Sequence, residues 1–241
     1  MLQQTQVDRV TPKYRAFIKR FPTISSLAHA PLRDVLTEWS GLGYNRRAKY
    51  LHECAKHIVA EHHGEVPHDR ATLESLPGIG HSTASGILAF AFNKEEPMID
   101  TNIKRILERV FFQDAPQRDR DMLIFAQTLI PKGRGREWNY ALLDIGATVC
   151  GVRFHDDACP FLGLHGPVSL RARKPIQKRF AHSDRQYRGM IIRALTQTPQ
   201  LTQAALHKKT KHIEIARLDR ILAGLVREGL VIQKKSSYKL P

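Results

Sequence analysis

The sequence predicts a mainly α-helical protein built as two domains. Three observations carry this reading. Apolar residues recur at three- and four-residue steps through most of the chain, turn signals interrupt them at short intervals, and no alternating strand pattern occurs before residue 166. Alternation of apolar and polar residues enters only near the C-terminus, in LVIQKKSSYKL.

Each element follows from its own residues. Val7, Val10, Tyr14, Phe17, Ile18 and Phe21 form one helical stripe, which Pro22 ends. The same periodicity predicts helices over 24–30, 32–39, 46–62, 71–76, 82–92, 101–111, 118–130 and 138–150. Between them lie Gly41-Leu42-Gly43, Gly64, Pro67, Pro77-Gly78, Pro97, Pro116, Pro131 and Gly133-Arg134-Gly135. Residues 1–166 therefore read as an all-α domain and 167–184, with RARKPIQKRFAHSD, as a basic linker. A small second domain, 185–241, follows, with helices over 185–195, 202–209 and 214–228, the last stopped by Gly229. Three helices and a terminal hairpin outline a winged helix, whose third helix enters the major groove in DNA-binding examples. The same outline also serves as a protein-docking module.

Composition excludes several classes of function. A chain of 241 residues, 42% apolar and 25% charged, buries a real core and is neither a peptide hormone nor a disulfide miniprotein. The longest apolar run, Gly86 to Phe92, falls far short of the ~20 residues that span a bilayer, so no membrane role is expected. MLQQTQVDR lacks the cationic head and apolar core of a signal peptide, and three cysteines (Cys54, Cys150, Cys159) suit a reducing compartment. A cytoplasmic, nucleoid-associated protein is the expectation. Charge sharpens it: of a net +15, residues 167–241 carry 17 basic and 4 acidic side chains. Such a field attracts a polyanion, nucleic acid first, although a solvated basic tail has the same count.

The strongest local motif is Leu76-Pro77-Gly78-Ile79-Gly80-His81-Ser82-Thr83-Ala84. Two glycines after a helix let the backbone turn without a Cβ clash, and the amides that open the next helix point outward. With the helix dipole they suit a DNA phosphate; a plain turn between structural helices is the alternative.

The nonamer resembles the helix-hairpin-helix of the DNA glycosylase superfamily. MLQQTQV, RFP, GLGY, LPGIGHSTA, MIDTNIKR and DIGATVC, in that order and spacing, resemble the MutY-type adenine DNA glycosylases over about residues 1–165. The resemblance implies a helix-hairpin-helix glycosylase fold with the lesion cleft between its halves, and Asp100 as the carboxylate that stabilises an oxocarbenium-like sugar. Capping of the helix that starts at Thr101 is the alternative role for Asp100. Ser82 stands where strand-cleaving relatives carry a Schiff-base lysine, which implies a monofunctional enzyme that uses water. Tyr44 matches an aromatic wedge that enters the duplex beside the lesion, against the plain reading of an exposed loop tyrosine. Gln3 and Gln4 match glutamines that face DNA and the base pocket. Gly78, Gly80, His81, Ser82 and Asn102 complete the implied DNA contacts, His81 as a phosphate or solvent contact.

Three departures accompany the match. The family's general acid is a glutamate two residues before the methionine matched by Met1, so the resemblance implies that this chain lacks the family's first segment. The first carboxylate present is Asp8, about two turns on. In the family a four-iron cluster sits on C-x6-C-x2-C-x5-C, where this chain, allowing one deletion, reads Cys150, Asp157, Cys159 and His165, a poor thiolate set. No cofactor is therefore expected; Cys150, His155, Cys159 and His165 form a rival, zinc-like set. A basic winged helix also stands where many members carry a Nudix-like reader of 8-oxoguanine.

Together these imply a monomeric base-excision-repair glycosylase that removes adenine mispaired with 8-oxoguanine or guanine in double-stranded DNA. The alternatives are a thymine glycosylase acting on T:G mismatches and a non-catalytic DNA-binding protein.

Overall fold

The computed structural model describes residues 1–3, 5–150, 159–164, 180–210 and 213–241. They form two compact units, one of Met1–Val66 with Gln177–Pro241 and one of Pro67–Ile176.

The first unit begins with α1 (Val7–Arg20), α2 (Ile24–Ala28), α3 (Leu32–Trp39) and α4 (Arg46–Glu61). α2 opens with a capping box in which the Thr23 and Ser26 side chains each accept from the other's backbone amide. The C-terminal part adds α10 (Asp184–Gln197), β1 (Leu201–Thr202), α11 (Gln203–Lys209), α12 (Ile215–Arg227), β2 (Ile232–Lys234) and β3 (Ser237–Lys239). Its strands pair antiparallel in the order β1-β3-β2, with Leu201 opposite Tyr238 and Ile232 opposite Lys239. This is the winged-helix arrangement, with β1 as a third strand. Two residues are too few to show alternation, and Thr202 also caps α11 by accepting from the Ala205 amide at 3.3 Å.

One core serves both parts of this unit. Phe17, Phe21, Val35, Leu36 and Trp39 from the N-terminal helices belong to the same buried cluster as Ile191, Leu195, Leu218, Leu222 and Leu240. α10 packs on α3. Arg33 of α3 donates to the Thr196 carbonyl at 3.2 Å, and Lys49 of α4 to the Glu228 carbonyl at 2.7 Å. The C-terminal module therefore completes the hydrophobic burial of α1–α4.

The second unit holds α5 (Arg70–Ser75), α6 (His81–Phe90), α7 (Thr101–Phe112), α8 (Asp119–Leu129) and α9 (Gly135–Thr148). Its core gathers Ile103, Ile106, Leu107, Met122, Ala126 and Leu142. α9 starts at Gly135, ahead of the periodic apolar residues, with Gly135 pressed against the Lys94 carbonyl. Among the described residues no helix is long and apolar enough to cross a membrane.

Candidate active site and nucleic-acid interface

In the first unit, Gly41, Gly43 and Tyr44 all take positive φ (+97°, +73° and +48°) in the loop between α3 and α4. The loop is tied from three sides. Arg9 donates to the Gly41 carbonyl at 2.6 Å, Thr5 to Leu42 at 3.3 Å and the Trp39 indole to Gly43 at 3.0 Å, while Leu42 is buried beneath. Tyr44 is thus a non-glycine residue in left-handed conformation, which costs on the order of 1–3 kcal/mol and persists only where its surroundings impose it. The residue is 39% exposed.

Arg47 joins this loop to the N-terminal segment. Its guanidinium donates to the Gln3 carbonyl at 2.8 Å and lies 5.3 Å from the Trp39 ring and 5.5 Å from the Tyr44 ring. Burial pulls its pKa below the ordinary arginine value, partly countered by Tyr44. Gln3 is exposed at the surface; Gln4 lies outside the described residues.

The second unit carries the hairpin. Leu76 and Leu73 are buried, Gly78 turns the chain at φ +77°, and the Ile79 amide donates back to Leu76. Gly80 caps α6 with φ −99°, and a Cβ there would meet nothing within 4 Å. Nothing inside the protein requires glycine at that position; it keeps the outside of the turn open to close approach. Ser82 is exposed. His81 is anchored through Nδ1, 3.0 Å from Glu74 Oε1 and 3.0 Å from Arg70 Nη1. Arg70 also reaches Ser85 and Glu96, so one guanidinium ties α5, α6 and the segment before α7 together. Its hydrogen bond, with help from His81, holds the Glu74 carboxyl below the usual carboxylate range.

Asp100 is the half-buried N-cap of α7. Its Oδ1 accepts from the amides of Asn102 at 2.7 Å and Ile103 at 2.8 Å. No protein donor among the described residues engages Oδ2. The cap thus occupies one oxygen of the carboxylate and leaves the other available as an acceptor. Next to it, Asn102 Oδ1 accepts from Arg105 Nη2 at 3.1 Å, and the same guanidinium donates to the carbonyls of Gly146 at 2.7 Å and Cys150 at 2.8 Å. Gly146 allows the approach of α9 to α7, since a Cβ there would sit 2.7 Å from Asn102 Cβ. The DIGATVC block thereby buttresses the MIDTNIKR block.

Arg105, which braces Asn102 against α9, is not singled out by spacing alone, though it closes the MIDTNIKR block. Arg47 and Arg70 are likewise invisible to it, because their partners lie far away in sequence.

The residues around Cys150 do not fit a four-iron cluster. Such a cluster takes four thiolates, and only Cys150 and Cys159 stand in this part of the chain, both buried. Cys150 Sγ accepts from Arg109 Nη1 at 3.0 Å, and its side chain belongs to the apolar core with Ile103 and Leu107. His155 and His165 lie outside the described residues, among which no group of three or more metal-ligating side chains gathers.

Comparison with known proteins places this geometry. The family model described as HhH-GPD superfamily base excision DNA repair protein matches residues 1–132. The adenine DNA glycosylase of Mycolicibacterium smegmatis is 39% identical over 242 residues, covering 97% of this chain and 82% of the relative. A thymine/uracil-DNA glycosylase of Pyrobaculum aerophilum is 35% identical over 157 residues, covering 62% of this chain and 68% of the relative. The structure of a thermostable thymine-DNA glycosylase superposes with TM-score 0.64 at 27% identity, over 68% of this chain and 78% of that one. Endonuclease III in a non-covalent DNA complex superposes with TM-score 0.61 at 22% identity over the same shares, a likeness of fold. By these matches the chain belongs to the HhH-GPD superfamily of base excision DNA repair proteins, in the branch of the adenine DNA glycosylases.

Proposed function

We propose that this protein hydrolyses the N-glycosidic bond of adenine mispaired with 8-oxoguanine or guanine, without cleaving the strand. The observation that carries the proposal is the divided carboxylate of Asp100, one oxygen fixed by two amides and the other without a donor among the described residues. As the C1′–N9 bond lengthens, positive charge grows on the sugar, and a preorganised carboxylate facing C1′ lowers that barrier. Water then adds at C1′ and leaves an abasic site. Asn102 and Arg105 brace the helix start, so the carboxylate does not drift as charge develops.

The remaining roles follow the same reading. Ser82 offers no amine, so no covalent imine forms there. Gly78, Gly80, His81 and Ser82 seat a backbone phosphate on the opening turn of α6, and Tyr44 wedges beside the flipped nucleotide, with Gln3 and Gln4 near it. Departure of adenine as a neutral base needs a proton on the ring as the bond breaks. The chemistry runs without an iron-sulfur cluster, and the protein acts as a monomer on duplex DNA.

Single-turnover cleavage of duplexes carrying A opposite 8-oxoguanine, A opposite G, and T opposite G tests the proposal. Preference for the first two supports it. The thymine/uracil-acting relative at 35% identity favours the T:G reading as the second possibility, and preference for that duplex would establish it instead.

A further inference from the structure

Tyr44 is held from the far end of the chain. Arg185, the second residue of α10, donates from Nη1 to the Tyr44 hydroxyl at 2.6 Å across 141 positions of sequence, and its guanidinium carbon lies 5.8 Å from the ring centroid. Arg185 is itself presented by a fixed element. Ser183 caps α10, Arg217 of α12 bonds Asp184 at 2.7 Å, and Arg188 bonds Glu228 at 2.5 Å, one helical turn beyond Arg185. The Tyr44 backbone is already confined by the three tied carbonyls of its loop. These backbone ties leave the direction of the ring to its two side-chain bonds; Arg47 lies 5.5 Å from the ring, and Arg185 adds the hydrogen bond that holds the hydroxyl end.

We infer that Arg185 is a positioning residue for the Tyr44 wedge, so that the C-terminal winged-helix module takes part in lesion recognition through this contact as well as through its charge. The inference rests on the reading of Tyr44 as the wedge. A wedge works by entering the stack at one step, and a ring pre-aimed by a charged donor loses less rotational freedom on entry than one that swings freely. A guanidinium suits this task because its planar, pre-organised fork holds the phenol oxygen in a fixed direction.

The test is a double-mutant cycle with Arg185→Ala, Tyr44→Phe and the pair combined, plus Tyr44→Ala. The probe is a duplex with 2-aminopurine beside an A:8-oxoguanine pair, whose fluorescence rises when the wedge unstacks it; thermal melts confirm that each variant folds. Arg185→Ala and Tyr44→Phe should each lower the fluorescence gain and the preference for lesion over undamaged duplex by roughly three- to tenfold, the scale of one charge-assisted hydrogen bond at a half-exposed site. The combined variant should be no worse than either alone. Additive losses, with equal weakening on undamaged duplex and a salt slope reduced by about 0.9, would make Arg185 an ordinary phosphate contact and overturn the inference. If Tyr44→Ala leaves fluorescence gain and preference unchanged, the wedge reading falls first, and the inference with it.

Discussion

Exchanging Asp100 for asparagine separates its two roles, because asparagine caps helices as well as aspartate does. The two amide bonds to Oδ1, 2.7 and 2.8 Å long, survive in Asp100→Asn, so its stability should fall by less than about 0.5 kcal/mol. Alanine removes both bonds and should cost about 1 kcal/mol, lowering Tm by roughly 2–4 °C. Chemistry moves differently. A full carboxylate charge ~3.5 Å from a developing sugar cation, at an effective dielectric constant of about 20, is worth ~5 kcal/mol, a rate factor on the order of 10³. Both variants should therefore lose about a thousandfold in single-turnover cleavage of A opposite 8-oxoguanine, while only alanine melts early. The assay is carried out under conditions in which the unsubstituted protein cleaves at a measurable rate. An asparagine variant that keeps more than about a tenth of the rate would reduce Asp100 to a helix cap and refute the argument.

Other expectations follow from particular contacts. Gly146→Ala places a methyl group 2.7 Å from Asn102 Cβ and should cost about 1–3 kcal/mol in denaturant titrations; an unchanged midpoint would show that α7 and α9 do not pack as closely as described. Burial, with Lys56 adding to it, holds the His52 imidazole below its usual pKa while Nε2 donates to the Ala30 carbonyl at 2.9 Å. The unfolded chain therefore takes up this proton first, so the stability from neutral His52 is complete above about pH 6.5 and is lost as pH falls through the depressed folded value. His52→Gln should flatten melts recorded between about pH 7.5 and 5.5; a slope that does not change would reject His52 as its source. Expressed protein should contain neither iron nor acid-labile sulfide, and stoichiometric amounts of both would reverse the reading of Cys150 and Cys159. Because the C-terminal module shares its core with α1–α4, its charge is best tested by Arg220→Ala, Lys234→Ala and Lys235→Ala rather than by deletion. Each of these three exposed cations that touches a phosphate should lower the slope of log K against log salt by about 0.9, and an unchanged slope would remove DNA from that surface.

The helices are legible in the sequence because each has one wet face, and the period of burial prints itself on the residues. Leu218, Ile221, Leu222 and Leu225 in α12 read directly as a buried stripe, whereas the α1 stripe is buried only at Val10, Phe17 and Phe21, with Val7, Tyr14 and Ile18 exposed. The loop and hairpin glycines are legible for a different reason: Gly43 and Gly78 mark left-handed backbone that other residues avoid. Asp100 is legible as a cap from its place before Thr101, while the freedom of its second oxygen is not, since it depends on which donors the fold brings near. The same holds for Arg47, Arg105 and Arg185. A guanidinium reaches across elements to carbonyls and rings that no local pattern identifies, and 141 positions separate Arg185 from Tyr44. Nor does a composition shift at residue 167 reveal that the segments before and after the second unit share one core.

That shared core bears on how the two units divide the work. Asp100, Asn102, Arg105 and the hairpin glycines all belong to residues 67–176, whereas Tyr44, Gln3 and Arg47 belong to the unit that the C-terminal module completes. On the proposed function, the first set acts on the sugar and grips a phosphate, and the second enters the stack. Substitutions at Asp100, Asn102 and Arg105 should thus lower the rate at saturating DNA, those at the hairpin glycines should lower affinity for all duplexes, and those in the first unit should lower discrimination and affinity while leaving the bond-breaking step to Asp100. The exception to look for is Arg47. Its guanidinium holds the Gln3 carbonyl and lies against Trp39 and Tyr44, so Arg47→Ala releases the N-terminal segment and the wedge loop in one step. If the base pocket is built on that segment, this variant should lose rate and affinity together, unlike Tyr44→Ala; loss of affinity alone would confine Arg47 to the wedge.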